Sequence, residues 1–211
     1  MGMKEQLLAT VQKTAVPIKQ VSIEPIKVVE MDIMLTGTTP LLMERMSEKV
    51  QQSLINTMEG KGKEKKQNRD FQAEVGEKIH RTEDGKPGFP ASGFKKAIVE
   101  AAVYMDGMDK KLAKSIVIVG NVVPVTYKKM ITNKAMGRDS GIRRAPRPIW
   151  RPEFTDWGCK LRVRFNSSLI TPDQVVNLFK LGGFHIGIGG WRPQCSGSYG
   201  TFTVAQTAKE K

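Results

Sequence analysis

The sequence predicts an α+β protein of the ferredoxin-like, RNA-recognition type, a split βαβ core carrying long insertions. Three observations predict it. Apolar residues alternate with polar ones in a segment near each end of the patterned region. Amphipathic helical segments accompany these strands. Removing the glycine-, proline- and lysine-rich stretches leaves the order strand, helix, strand, then strand, helix, strand. A length of 211 residues suits one domain, spanning 1–211.

Residues 1–25 lack sustained periodicity and read as an N-terminal arm. From Ile26 to Thr36, Val29, Met31, Ile33 and Leu35 alternate with Glu30, Asp32, Met34 and Thr36, the period of a half-buried strand. Gly37-Thr38-Thr39-Pro40 ends it. Leu41 to Met58 then reads as a helix, because Leu42, Met46, Val50 and Leu54 recur every fourth residue. Residues 59–88 form an insertion: a mobile basic loop with Lys61, Lys63, Lys65, Lys66 and Arg69, a short helix over Phe71–Ile79, and a turn at Asp84–Gly88. Ser92 is placed to cap a helix that continues through Phe94, Ile98 and Ala101-Ala102 to about Met105.

Ser115 to Tyr127, rich in Ile and Val with Gly120-Asn121 in its middle, is one bulged strand or a hairpin. Lys128–Arg151 reads as a long irregular basic loop, since Gly137, Gly141, Pro146 and Pro148 punctuate it. Cys159–Asn166 is the clearest strand. Thr171-Pro172-Asp173 opens a helix with an N-cap, a proline at the first position and an acid in the first turn. Gly182-Gly183 is read as its stop, and Phe184–Ile188 and Tyr199–Val204 as strands around a glycine-rich loop.

Charge points to the partner. The formal net charge is +13; residues 1–105 carry 16 basic and 14 acidic groups, residues 106–211 carry 18 and 7. Such asymmetry implies a polyanion. On the strand Cys159–Asn166, Lys160, Arg162 and Arg164 share a face at ~7 Å intervals, comparable to successive phosphates, and are expected to form an unopposed cationic stripe. The segment 128–151 holds Lys128, Lys129, Lys134, Arg138, Arg143, Arg144, Arg147 and Arg151 against Asp139 alone, as a finger following a nucleic-acid backbone would. Trp150 and Trp157 flank its end and are either core residues or stacking platforms.

The stretch from Gly182 to Pro193, followed by Gly197, Ser198, Tyr199 and Gly200, allows close backbone approach to a ligand. It contains neither a P-loop nor a dinucleotide fingerprint. No catalytic motif stands out, and His80 and His185 are the only histidines. The expectation is therefore a protein that is not an enzyme and uses no cofactor or metal. Cys159 and Cys195 are expected as free thiols, and no segment approaches the ~18 apolar residues of a membrane span. Without an apolar leader the expected location is cytoplasmic.

Two segments carry a resemblance. Phe89-Pro90-Ala91-Ser92-Gly93-Phe94-Lys95-Lys96 resembles the I-P-G-S-S-L-K-G segment opening the first helix in the RAMP superfamily, which includes backbone subunits of CRISPR effector complexes. Ala91 and Lys96 stand where the family has glycines. Gly197-Ser198-Tyr199-Gly200-Thr201-Phe202 resembles the same family's glycine-rich loop. The resemblance implies an RNA-recognition-type core, a thumb-like insertion at 128–151, and head-to-tail stacking of protomers along single-stranded nucleic acid. By position it puts Ser92, Lys95 and Lys96 near the bound backbone. The Gly-Ile-Gly-Gly-Trp-Arg-Pro stretch is also similar to phage proteins.

Together these readings lead to one expectation: sequence-nonspecific coating of single-stranded RNA or DNA by a head-to-tail oligomer. Lys160, Arg162, Arg164 and the basic loop would hold phosphates beside Arg192, with Trp191 or Tyr199 stacking a base. The alternatives are a metal-independent endoribonuclease and a phage protein that binds and inhibits a host defence complex.

Overall fold

Period-two burial on two long strands sets the architecture. The computed structural model describes residues 25–61, 70–138 and 145–205. Residues 1–24 of the arm, residues 62–69 of the basic loop, and Arg143 and Arg144 lie outside the described residues. In chain order the elements are β1 (Val28–Gly37), β2 (Leu41–Leu42), α1 (Glu48–Met58), α2 (Phe71–Glu77), β3 (Gly88–Pro90), α3 (Ala91–Ala101), α4 (Lys110–Ser115), β4 (Val117–Ile118) and β5 (Val122–Thr126). Then come β6 (Lys129–Arg138), β7 (Pro146–Thr155), β8 (Gly158–Asn166), α5 (Pro172–Leu181) and β9 (Phe202–Val204).

The main sheet runs β3-β5-β8-β1-β9, with β4 also on β8. Four of its strands, β5-β8-β1-β9, have the ferredoxin-like order, with α3 and α5 as the two helices of the split βαβ units. Cys159, Leu161, Val163 and Phe165 of β8 and Ile33 and Leu35 of β1 point inward and join Phe94, Ile98, Leu178 and Phe179 from the helices. A capping box closes the start of α5: the Thr171 hydroxyl accepts from the Gln174 amide, and the Gln174 side chain accepts from the Thr171 amide.

Four sequence expectations are corrected. Leu41 to Met58 is not one helix: Leu41 and Leu42 pair with Phe154 and Glu153 in a second sheet, and α1 begins only after the Ser47 cap. Ser92 does not cap α3, which starts at Ala91 with no side-chain cap. Phe184–Ile188 is not a strand. Gly182 and Gly183 carry α5 into a wider turn over Gly182–Ile186, packed so close to α3 that a Cβ on Gly182 would meet the Ala97 carbonyl at 3.2 Å. Finally, the irregular loop at 128–151 is a long hairpin, β6 paired with β7 in continuous antiparallel register from Lys129↔Thr155 to Arg138↔Pro146. Ser115–Tyr127 resolves into α4's end and one interrupted strand, since β4 and β5 both pair with β8.

Trp157 is core, 1% exposed, with its indole N–H donating to the Thr39 carbonyl at 2.8 Å. Cys159 is buried and Cys195 exposed, both free; burial pushes the Cys159 thiol up to about 12. No helix among the described residues is long and apolar enough to cross a membrane. Gly37 leaves room for the indole, because a Cβ there would stand 2.1 Å from Trp157 Nε1. Gly37→Ala is expected to lower the unfolding free energy by ~1–3 kcal/mol through overpacking, read as a lower urea midpoint with an unchanged m-value.

Candidate nucleic-acid interface

The outer face of the main sheet is not the cationic stripe expected. β1 lies antiparallel to β8 in a register that sets Glu30 opposite Arg164 and Asp32 opposite Arg162. Asp32 accepts from both Lys160 (2.8 Å) and Arg162 (3.3 Å), and Glu30 is ion-paired with Arg164. The two cations hold the Asp32 carboxyl below its ordinary range, Lys160 most strongly. Three cations therefore face two carboxylates, and like-charge repulsion along β8 is relieved from within the fold. The pairs are solvent-exposed and contribute little stability.

Lys95 is also corrected. Its ammonium turns inward and donates to the carbonyls of Ala113 (3.0 Å), Lys114 (2.7 Å) and Ile116, capping the C-terminus of α4. Burial pushes its pKa down to about 8. Ser92 lies beside it in a shallow groove with Lys114 and Asn121, away from the hairpin cavity described next.

Lys129, Lys134, Arg138, Arg147 and Arg151 stand on the hairpin, divided by its pleat. Directly opposed residues share a face. One face holds Lys129, Asn133, Arg147, Arg151 and Glu153; the other holds Lys134, Arg138, Trp150 and Phe154. At its base the second face is covered by α2, with Phe71 and Trp150 ring centroids 5.3 Å apart and Lys78 donating to the Trp150 carbonyl at 2.7 Å. Lys134 lies 4.4 Å over the Trp150 ring. Toward the tip Lys134, Met136, Arg138 and Arg147 are exposed. Lys128 and Lys129 are exposed at the base, where the Lys128 amide donates to Thr155. The cations of the described hairpin residues therefore do not share one surface.

The first face meets the glycine-rich loop and encloses a cavity. Gly189, at φ +79°, lets the loop cross β2: a Cβ there would lie 2.4 Å from the Leu42 carbonyl, and the neighbouring Gly190 amide donates to that oxygen at 2.9 Å. The loop presents Trp191, itself in the left-handed region at φ +51°. Its ring lies 4.6 Å from the Arg151 guanidinium and 6.1 Å from the Tyr199 ring, so one indole face is already occupied. Tyr199 reaches the Asn133 amide at 3.4 Å, and that amide donates to Glu153 at 2.7 Å. Arg192 is held by Gln194 and by the Gly189 carbonyl at 3.1 Å.

Arg151 is only 7% exposed. Its Nη2 donates to Glu44 at 2.8 Å, while Nε and Nη1 are buried with no hydrogen-bond partner. An unmet buried donor costs ~1–3 kcal/mol, more on a charged group. The cavity measures about 500 Å³ and is bordered by Glu44, His80, Lys96, Arg151, Trp191 and Arg192. Of the candidates named from sequence, it brings together Lys96, Arg151, Trp191 and Arg192. Glu44 and His80 join them without a sequence signal for this site. Burial and the nearby Arg45 charge lower the His80 pKa, keeping the imidazole neutral near pH 7. His185 lies flat on Tyr104, centroids 4.2 Å apart. No group of three or more potential metal-ligating side chains occurs among the described residues.

No protein-family model matches the chain, and no curated protein matches it in sequence. Among solved structures it is similar to the Type III-B Cmr-beta bound to cognate target RNA, seen by cryo-electron microscopy, with a TM-score of 0.51 and 15% identity. That match covers 96% of this chain and 64% of the neighbour, so the chain spans less than two thirds of its neighbour's length. A likeness to the crystal structure of Cmr6 from Pyrococcus furiosus has a TM-score of 0.42 and 10% identity, covering 86% of this chain and all of that one. The first likeness shows the ferredoxin-like fold that the order of the elements implies.

Proposed function

We propose that the chain binds single-stranded RNA on the β6–β7 hairpin and the cavity at its base, as a binding protein with no catalysis of its own. The carrying observation is the hairpin itself: a two-stranded projection with Lys129 and Arg147 on one face and Lys134 and Arg138 on the other. Cations on both faces suit a flexible strand that folds around the projection. A duplex, stiff over ~150 base pairs, meets one face only. The fold neighbour was seen with its target RNA, which favours RNA over DNA as the ligand. Little sequence preference is expected, because exposed Lys and Arg contact phosphates rather than base edges.

Head-to-tail association along the strand belongs to the same proposal. Val103, Tyr104 and Phe184 are exposed at 63%, 52% and 73%, and α1 buries none of its residues and exposes Val50, Leu54, Ile55 and Met58. Two unlike apolar surfaces on one chain are what a heterologous, non-closing contact requires.

Filter binding to a uridine-rich oligoribonucleotide over a salt series tests the interface. Replacing Lys129, Lys134 and Arg138 with Gln is expected to reduce the slope of log K against log salt by ~2, at ~0.7 per lost contact. Removing Lys160, Arg162 and Arg164 together with Glu30 and Asp32 is expected to change it by less than ~1, because only one net charge leaves. The opposite ranking sinks the hairpin reading, and shortening of the RNA during the assay sinks the non-catalytic one. Sedimentation on RNAs of increasing length is expected to show stepwise addition of protomers, lost in Phe184→Glu with single-site affinity retained.

A further inference from the structure

The guanidinium of Arg151 is buried and held on two sides. One nitrogen is engaged by Glu44, one face lies on Trp191, and Nε and Nη1 are buried without an acceptor in a side chain that borders the cavity. We propose that this cavity is a nucleotide subsite, in which one phosphate sits against the guanidinium of Arg151 and supplies the acceptors that Nε and Nη1 lack, while its sugar and base fill the remaining volume. The proposal rests on the RNA-binding reading of the same surface and gives that surface a fixed position for one nucleotide.

Three independent features favour a phosphate-bearing nucleotide. An anion satisfies both idle donors and the charge at once, whereas a neutral acceptor satisfies only the donors. Lys96, Arg151 and Arg192 border the cavity against the single carboxylate of Glu44, so an incoming anion meets an excess of positive charge. Because Gln194 and Gly189 tie down Arg192, that residue contributes field, and Arg151 supplies the contacts. The volume of about 500 Å³ exceeds what a bare phosphate fills and lies within the ~300–1,000 Å³ of small-molecule sites. Phe89, Ala97, Ile186 and Ile188 line its other wall and offer an apolar surface to a sugar and base.

Calorimetric titration of the full chain with adenosine 5′-monophosphate and with adenosine tests the subsite. The nucleotide is expected to bind at least about tenfold more tightly than the nucleoside, the worth of charge-assisted hydrogen bonds. Arg151→Gln is expected to abolish that preference. Should this variant melt early, Glu44→Gln carries the test. Glu44 is half-exposed, and losing its carboxylate frees the guanidinium, so nucleotide affinity is expected to rise several-fold.

On RNA, Arg151→Gln is expected to reduce the salt slope by ~0.7 and leave the hairpin contacts in place. Equal binding of nucleotide and nucleoside, no binding of either at millimolar concentration, or weaker nucleotide binding in Glu44→Gln overturns the proposal. So does an acidic peptide that occupies the cavity while the nucleotide does not. Salt-dependent RNA binding that persists beside any of these results keeps the hairpin reading and removes the subsite. Nucleotide binding without RNA binding removes the hairpin reading and leaves a site for free nucleotides.

Discussion

The register in which β1 pairs with β8 governs both the core and the surface. Val28↔Asn166 through Thr36↔Gly158 run without a break, so the inward residues of both strands meet in one apolar layer. A slip of one residue would turn every side chain to the other face. The same register fixes Glu30 beside Arg164 and Asp32 between Lys160 and Arg162. A single geometric constraint thus makes the core and removes most of the sheet's positive field.

The consequence for recognition is direct. RNA-recognition folds take single strands on the open sheet face, where aromatic side chains stack bases. On β1 and β8 the corresponding outward positions hold Glu30, Asp32, Met34, Lys160, Arg162 and Arg164, with no aromatic ring among them. Aromatic groups and cations stand together instead on and beside the hairpin, where Trp150 lies under Lys134 and Trp191, with Tyr199 next to it, lies on Arg151. The proposed RNA surface is therefore an insertion carried by the fold.

What the sequence made legible follows the range of the interactions involved. β8 and α5 could be read because their signals are local: strict alternation from Cys159 to Phe165, and a cap, proline and acid within Thr171–Asp173. Pro146 and Pro148 give the hairpin the look of an irregular loop. Both, with Pro152, fall on alternate positions of β7, where a missing N–H can face away from β6 and leave the ladder whole. Leu42 misled for the opposite reason. Its spacing fits a helix with Met46 and Val50, yet pairing with Glu153, more than a hundred residues away, draws it into a sheet. The site behaved likewise. Lys160, Arg162 and Arg164 share a face as their spacing required, but their neutralisation depends on acids about 130 residues distant. Neither Glu44 nor His80 has any local feature that points to Arg151.

Arg151 and the hairpin tip carry the same sign of charge in different physical states, and that difference separates two contributions to binding. Exposed cations such as Lys134 and Arg138 act through a screened field that decays over ~8–10 Å at ordinary ionic strength and imposes little geometry. Arg151 is held between Glu44 and Trp191, and Trp191 is held by the loop that Gly189 allows to cross β2. Its donors therefore have fixed directions before any ligand arrives. In the proposed complex the tip supplies attraction that salt removes, and the buried guanidinium supplies position. A strand drawn in by the hairpin would slide freely along it until one phosphate reached the cavity, where the two idle donors of Arg151 would set its register on the protein.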